Sequence, residues 1–445
     1  MELDWQTQRD LELFQGSAAE QSIFDVLDRT RTSDGKRNLQ KRLKNPLSSV
    51  SMIRQIQDVV KFLASTCSGV AFPFSQIDLD SLQQYLDSNF LFLKPAESFC
   101  GTLEEKWISI RDREFANFIR LKPYFVLEFL MKTGTFYDRL DSESCPELLR
   151  KDIQSFRSIE RFSGLKDFMH DPRANKFQIH DGIKLDYLFR KEIRGSLLHL
   201  LERLIDLDGL LSMAQVLRER GLVMPKFVEA GEPFVRLCGV YHLFVDKPVV
   251  NDFEVRDGKN LMFLTGPNMA GKTTYIKATA IAILLAHAGM GVPATEMCLT
   301  RFSRFFCSLN AVDNIRNRVS SFFSEIQRVK EILEAMQEEG GVFAVFDELF
   351  KGTNLKDALD CSNVVINGLA RFPRNAFMVS SHLLELHDLL ADNNCIDFFH
   401  FDGETLEGRI RFDFRLKPGV NSQRLGFQIL QEEGILKLLE KPATA

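Results

Sequence analysis

The residues of this chain whose types and spacing can do the most specific chemistry are Gly266-Pro-Asn-Met-Ala-Gly-Lys-Thr273. Gly, four residues, then Gly-Lys-Thr is the phosphate-loop pattern, and it is meaningful only between a strand and a helix. The apolar run Leu261–Leu264 before it reads as a buried strand, and Thr274 to Leu285 after it as a helix. Such a turn aims several backbone N–H groups and the positive end of a helix dipole at one point, which suits the β- and γ-phosphates of a nucleotide. Gly266, Pro267, Asn268, Met269, Ala270, Gly271, Lys272, Thr273 and Thr274 are therefore the expected triphosphate contacts. Lys272 would reach the phosphates, and the Thr273 hydroxyl would ligate Mg2+.

A second element supplies acids. Val342–Phe346 reads as a buried strand that ends in Asp347-Glu348. Asp347 is placed to hold Mg2+ directly or through water, and Glu348 to polarise an attacking water. Two acids at a strand end are commonplace on their own; after a phosphate loop they fit a hydrolytic site. Phe377-Met-Val-Ser-Ser-His382 is another strand with a polar tip, from which His382 could sense the γ-phosphate or simply face solvent. Lys351–Asp357 reads as a loop suited to an intersubunit contact, or as a plain turn with Asn354 or Asp357 capping the next helix.

These strands need a scaffold, and the chain has length for two or three domains. Residues 1 to about 230 carry helix-period apolar spacing. The longest case runs from Ile183 to Arg220, with Leu185, Leu188, Phe189, Ile193, Leu197, Leu200, Leu201, Leu204, Ile205 and Leu211 on its apolar positions. A continuous helix of that length would span about 55 Å, the dimension of a lever arm. Gly195 is its one blemish. Phe115 to Phe162 is a candidate antiparallel partner, broken near Gly134, and Asp167–Gly182 has the Pro, Asn, Gly and Asp of a tight connection. From about Pro233 the texture changes to short apolar runs separated by Gly and Asp, at 261–264, 342–346, 377–379, 398–401 and 410–414. Strands alternating with helices predict an α/β domain.

Composition narrows the classes further. The net charge of −5 gives no global basic field, although a local basic patch is compatible with it. Eight scattered cysteines without C-x-x-C spacing argue against a zinc site and for reduced thiols in a cytoplasmic setting. The start lacks the basic and apolar regions of a secretory signal. The most apolar stretch, Ala278–Ala294, is too short and interrupted to cross a membrane, and fits a buried helix behind the loop. The basic run Arg29, Arg31, Lys36, Arg37, Lys41, Arg42, Lys44 has the spacing of a solvated helix face.

The acid pair with Gly352-Thr353 and His382, and the loop in its Gly-Pro-Asn-Met-Ala-Gly-Lys form, resemble the ATPase domain of MutS proteins. Gly289–Ala294 resembles that family's Gly-x-x-Val-Pro-Ala turn, and Ser320-Ser-Phe-Phe-Ser-Glu325 its Ser-Thr-Phe-x-x-Glu signature. Pro418–Ser422 with Gly426-Phe-Gln428 resembles its closing strand and helix. Asp4, Thr7, Leu11–Leu13, Leu27-Asp28, Thr30, Thr32, Gly35, Arg37, Leu39 and Pro46 resemble the opening of the MutS core. The resemblance implies an α plus α/β fold: a helical core and lever domain over 1–230, then an ABC-type P-loop NTPase domain over 231–445. The clamp would be absent or reduced around 167–182, and the mismatch-recognition and connector domains missing. It implies Mg-dependent ATP hydrolysis, homodimerisation through the ATPase domain, DNA as partner and no membrane association. Ser320 would cap the γ-phosphate in trans, and Glu348, Lys272, His382 and Ser320 would be the catalytic set. Asn251 would contact the nucleotide.

The pattern has departures. Leu349-Phe-Lys-Gly-Thr353 stands where the family has Ile-Gly-Arg-Gly-Thr, and Pro248 stands where it places an aromatic for the adenine. Gly134-Thr-Phe-Tyr-Asp138 is similar to the mismatch-reading Gly-x-Phe-Tyr-Glu element but falls in the lever region, where an ordinary helix bend explains it. Arg173, Lys176 and His180 could touch phosphates or belong to a solvated turn. Three functions stay open at this level: a DNA-acting ATPase, a nucleotide-gated module for a protein or ribonucleoprotein partner, and an ATP-binding scaffold without turnover.

Overall fold

The computed structural model describes residues 3–14, 21–66, 71–90, 113–162, 165, 168, 179–309, 321–337, 341–406, 409–421 and 435–439. Two compact units emerge, neither of them one run of sequence. Met1–Leu27, Lys41–Arg54 and Val216–Ala445 form an α/β unit; Asp28–Gln40 and Gln55–Gln215 form a helical unit. The α/β unit thus takes in two N-terminal segments beside its C-terminal run. No described helix is long and apolar enough to cross a membrane.

The α/β unit is built on a six-stranded sheet. Its strands are β4 (Leu261–Thr265), β6 (Phe302–Ser308), β7 (Gly341–Asp347), β8 (Ala376–Ser380), β9 (Ile396–Leu406) and β10 (Arg409–Pro418). The spatial order is β10-β9-β4-β8-β7-β6. All neighbours are parallel except the β9–β10 hairpin. Every residue of β4 and β8 is buried, as expected for parallel strands covered on both faces. Three of the five strands anticipated from sequence are reproduced nearly residue for residue, and the other two, 398–401 and 410–414, lie within the longer β9 and β10. A second sheet, in the order β1-β5-β2-β3, was not anticipated. It comprises β1 (Lys226–Phe227), β2 (Val235–Val240), β3 (Asn251–Val255) and β5 (Glu296–Leu299); the runs are short, and in β3 buried Phe253 and Val255 alternate with exposed Asp252 and Glu254, as in a strand with one solvated face.

The helix Lys272–His287 follows the loop and is buried along nearly its whole length. Its apolar residues surround the axis instead of forming a stripe, which is the pattern of a fully enclosed helix. Helix Trp5–Asp10 of the N-terminal segment caps the β6 side of the sheet. Thr7 Oγ1 accepts from Cys307 N at 3.0 Å, and Asp10 Oδ2 accepts from Leu309 N at 2.9 Å.

In the helical unit the long apolar repeat is not one helix. It runs Ile179–Tyr187, makes a π-turn over Leu188–Glu192, and resumes as Arg194–Glu219. The interruption lies just before Gly195, so the expected continuous rod is corrected to two segments. Its partner also differs from expectation. Helix Arg113–Leu140 continues straight through Gly134 and the chain reverses at 141–146. Gly134 serves close packing: a Cβ there would lie 3.1 Å from Glu160 Oε1 and 3.5 Å from the Phe156 ring. A Cβ on Gly182 would lie 2.2 Å from the Ile119 carbonyl, while Tyr137 is within electrostatic reach of Arg203. Arg113–Leu140 therefore runs in the same sense as Ile179–Glu219, not antiparallel to it. Phe136 and Tyr137 are buried core residues.

Two opening residues of the resemblance acquire a reason here. Buried Asp208 accepts Thr32 Oγ1 at 2.7 Å and the N–H groups of Arg31 and Thr32 at 3.0 Å. It thereby caps helix Ser33–Lys44 from a distant part of the sequence. A Cβ on Gly35 would fall 2.2 Å from Asp208 Oδ2, so only glycine admits that carboxylate. On the same helix, Lys36 pairs with Asp28 and Arg37 with Asp34 in an exposed setting, in keeping with a solvated face.

Candidate nucleotide site

The expected site residues of β4, β7 and β8 meet at the carboxyl ends of these neighbouring parallel strands. β4 ends at Thr265, and the chain turns through Gly266 (φ 140°), Met269 (φ 72°) and Gly271 (φ 100°) before the helix begins at Lys272. Positive φ at Gly266 suits glycine, and a Cβ there would sit 2.7 Å from the Phe401 carbonyl. This loop and its surroundings line a cleft of about 540 Å³, a volume typical of small-molecule sites.

Lys272 is buried and donates from Nζ to the Gly266 carbonyl at 2.6 Å and the Pro267 carbonyl at 3.1 Å. Burial lowers its pKa, while Glu348 and Asp347 oppose that effect. The ammonium is thus held inside the curl of the loop. Asn268, Met269, Thr273 and Thr274 are exposed on its rim, whereas Ala270 is buried beneath.

Across the loop stands the end of β7. Asp347 Oδ2 accepts the Thr273 hydroxyl at 2.7 Å, and Asp347 Oδ1 accepts the Ser380 hydroxyl of neighbouring β8. Hydroxyl and carboxylate oxygens at this separation fit Mg2+, which takes one or two protein oxygens and completes its shell with water and phosphate. Among the described residues no cluster of three or more His, Cys, Asp or Glu is gathered for a metal, so a cage made wholly of protein ligands is not what this pair belongs to.

Glu348 lies in left-handed backbone at φ 58°, and its N–H donates to the Ser380 carbonyl at 3.0 Å. Its side chain is 20% exposed and pairs with His382 Nδ1 at 3.4 Å and Lys351 Nζ at 3.0 Å. The hydrogen bond from His382, with Lys351 adding, holds the Glu348 carboxyl down at about 2 against the opposing effect of burial. Reciprocally, Glu348 raises the His382 pKa. A carboxylate this acidic stays ionised at neutral pH. It can orient and polarise a water through charge, and is too weak a base to retain its proton.

Asn251, expected at the nucleotide, lines the cleft but uses its amide on the protein. Nδ2 donates to the Phe414 carbonyl at 3.0 Å and Oδ1 accepts from Leu416 N at 2.8 Å. The two bonds straddle the irregularity in the β9–β10 register between Phe412 and Leu416. Phe414 occupies that bulge at φ 56°, half-exposed, with its ring reaching over the loop: a Cβ on Gly271 would lie 3.2 Å from it. Sequence gave no hint of this residue, because its position depends on a bulge closed by an amide more than 160 residues earlier. Lys351 and Ser380 were passed over individually as well, although the segments that contain them had been noted. Pro248 and Val249 line the cleft's other wall.

Several expectations lie outside the described residues: Ser320, Arg173, Lys176, Ser422 and Gly426-Phe-Gln428. His180 is described, within helix Ile179–Tyr187. Asn354 caps helix Leu355–Ala370, its side chain accepting from Asp357 N at 3.0 Å.

Fold and site together define a mixed α/β domain in which a strand-end loop and two adjacent strand tips bring a lysine, a hydroxyl–carboxylate pair and an ionised glutamate to one cleft. Residues 262–442 match the family model of MutS domain V. The match places the C-terminal region in the MutS family, as that family's ATPase domain.

Proposed function

We propose that this chain is a dimeric MutS-type ATPase of the P-loop NTPase fold that binds ATP with Mg2+ and couples its nucleotide state to DNA. At the level of the family, MutS proteins are DNA-binding ATPases of mismatch repair. The observation that carries the reading to this chain is the Thr273–Asp347 contact beside Lys272 and Glu348, all on one cleft. The Gly266–Thr274 loop and Lys272 would bind the β- and γ-phosphates. Thr273 and Asp347 would hold Mg2+, which supplies charge neutralisation for the phosphates. Glu348 would orient the attacking water, with His382 fixing its carboxylate and facing the γ-phosphate side. Phe414 and the apolar wall at Val249 would take the nucleobase, with Asn251 positioning Phe414. Ser320 of a second copy would complete the site. The setting would be cytoplasmic.

Single-turnover ATP hydrolysis separates an enzyme from a scaffold: Glu348→Gln should slow it by about 10²–10³-fold while nucleotide stays bound, and equal rates would sink the catalytic reading. For the partner, binding to homoduplex, mismatched and branched DNA should be measured with and without ATP. Affinity that falls steeply with salt supports DNA as target. Absence of binding to all three forms at low salt with ATP would leave a protein or ribonucleoprotein partner.

A further inference from the structure

Glu348 projects from an unusual turn, since both Glu348 and Phe350 have left-handed backbone, at φ 58° and 61°. Non-glycine residues hold such angles only when their surroundings fix them. The fixing group is on another element. Glu325, on the helix Ser321–Ala335, is buried and its Oε2 accepts the Phe350 N–H. The N–H groups of Lys351 and Gly352 also act on this carboxylate, and Phe322 packs its ring edge-on to Phe350 with centroids 5.7 Å apart. The Phe350 N–H bond is the anchor whose geometry is met; Oε1 of the same carboxylate is buried without a hydrogen-bond partner among the described residues, and burial raises the Glu325 pKa. The same helix is fastened further along by Arg328, which donates to Asp4, to Thr7 Oγ1 and to the Cys307 carbonyl at 3.0–3.2 Å.

We propose that Glu325 is a positioning residue for hydrolysis: it clamps the backbone at Phe350 so that Glu348 keeps its aim, and it ties that aim to the helix that begins at Ser321. This rests on the ATPase reading above. Removing the clamp should free the turn without touching the loop that binds phosphate. Misaiming a catalytic group by about 1 Å costs on the order of 10²-fold in rate.

The test is a cycle of single-turnover rates and ATP affinities for the parent, Glu325→Ala, Glu348→Gln and the double variant. Glu325→Ala should lose about 10²-fold in rate with ATP affinity within about 3-fold of the parent. Glu325→Gln, whose carbonyl can still accept the Phe350 N–H, should recover most of the rate. The double variant should be no slower than Glu348→Gln, because one residue acts through the other. Amide exchange of 350–352 should accelerate in Glu325→Ala alone. If Glu325→Ala does not fold, Glu325→Asp, one methylene too short for the clamp, is read on the same scale. Full rate in the variant, or additive losses in the double variant, would overturn the proposal while leaving the ATPase reading intact. A parent no faster than Glu348→Gln would instead defeat the ATPase reading itself.

Discussion

The two units each gather charged side chains, and they treat them in opposite ways. In the helical unit Arg190 and Asp186 pair at 2.6 Å with side chains 0% and 2% exposed. Tyr85 donates to Asp186 at 2.8 Å, and Arg190 also reaches the Ser88 and Phe90 carbonyls. Nearly every polar valence is spent internally, so the cluster pins helix Gln76–Leu86 to the π-turn and offers nothing to a ligand. In the α/β unit Glu348, His382 and Lys351 are part-exposed, and Glu348, which the other two hold, lines a cleft from left-handed backbone. Closed, satisfied charge builds architecture, whereas open charge held on a strained turn is available for chemistry.

Four measurements sharpen or break that contrast. The largest effect is expected from Arg190→Met, which strands a buried carboxylate and should cost the helical unit about 3–5 kcal/mol. Amide exchange across 179–215 against urea would read it, and nucleotide affinity should stay unchanged. Replacing Asp186 and Arg190 together by apolar residues should restore most of the loss; a deeper loss would show that the pair does more than fill its site. Next, Lys272→Ala should reduce ATP hydrolysis by about 10²–10³-fold while leaving urea stability of both units near the parent's. A stability loss as large as that of Arg190→Met would erase the distinction between the clusters.

Phe414→Ala should weaken ATP binding by about 1–3 kcal/mol, the range for an aromatic stacked on a base, and leave tripolyphosphate binding unaltered. Equal weakening of both ligands would place Phe414 on the loop alone. The smallest effect is a titration in the metal-free protein. Glu348 raises the His382 pKa, so the His382 proton resonance should titrate above 6.5 and drop back towards it in Glu348→Gln. The signs are definite for each partner. The raised His382 contributes stability that is complete below 6.5 and lost as pH rises through its folded value. Glu348, depressed from 4.5 to about 2, contributes above 4.5 and loses that contribution as pH falls towards 2. An unmoved His382 midpoint in Glu348→Gln would mean the pair is not coupled.

Legibility from sequence followed the range of the interactions. The Gly266–Thr273 loop, β7 with its acid pair and β8 with His382 after it were all readable, because each is a contiguous run in which apolar period and terminal chemistry coincide. The helix-period repeat after Ile183 was readable too, but not its break, since the π-turn at Leu188–Glu192 coincides with Arg190 turning into a buried pair with Asp186. Gly134 looked like a breaker and proved to be a packing contact with Phe156, a choice made by a neighbouring helix. The recruitment of Met1–Leu27 and Lys41–Arg54 to the α/β unit also had no local sign.

The sequence by itself determined which groups this protein brings to the candidate site: a glycine-permitted loop, Lys272, Thr273 and the Asp347-Glu348 pair. Those follow from backbone sterics and strand burial over a few residues, which amino-acid type dictates directly. Only the tertiary structure decided how they are aimed and what stands around them. Asn251 bridges to the Phe414 bulge, Glu325 holds the turn under Glu348, and His382 closes on the Glu348 carboxylate. Each joins residues remote in sequence or on different strands. Such contacts form only when the whole sheet is assembled, because the strands must first bring partners remote in sequence within hydrogen-bond reach.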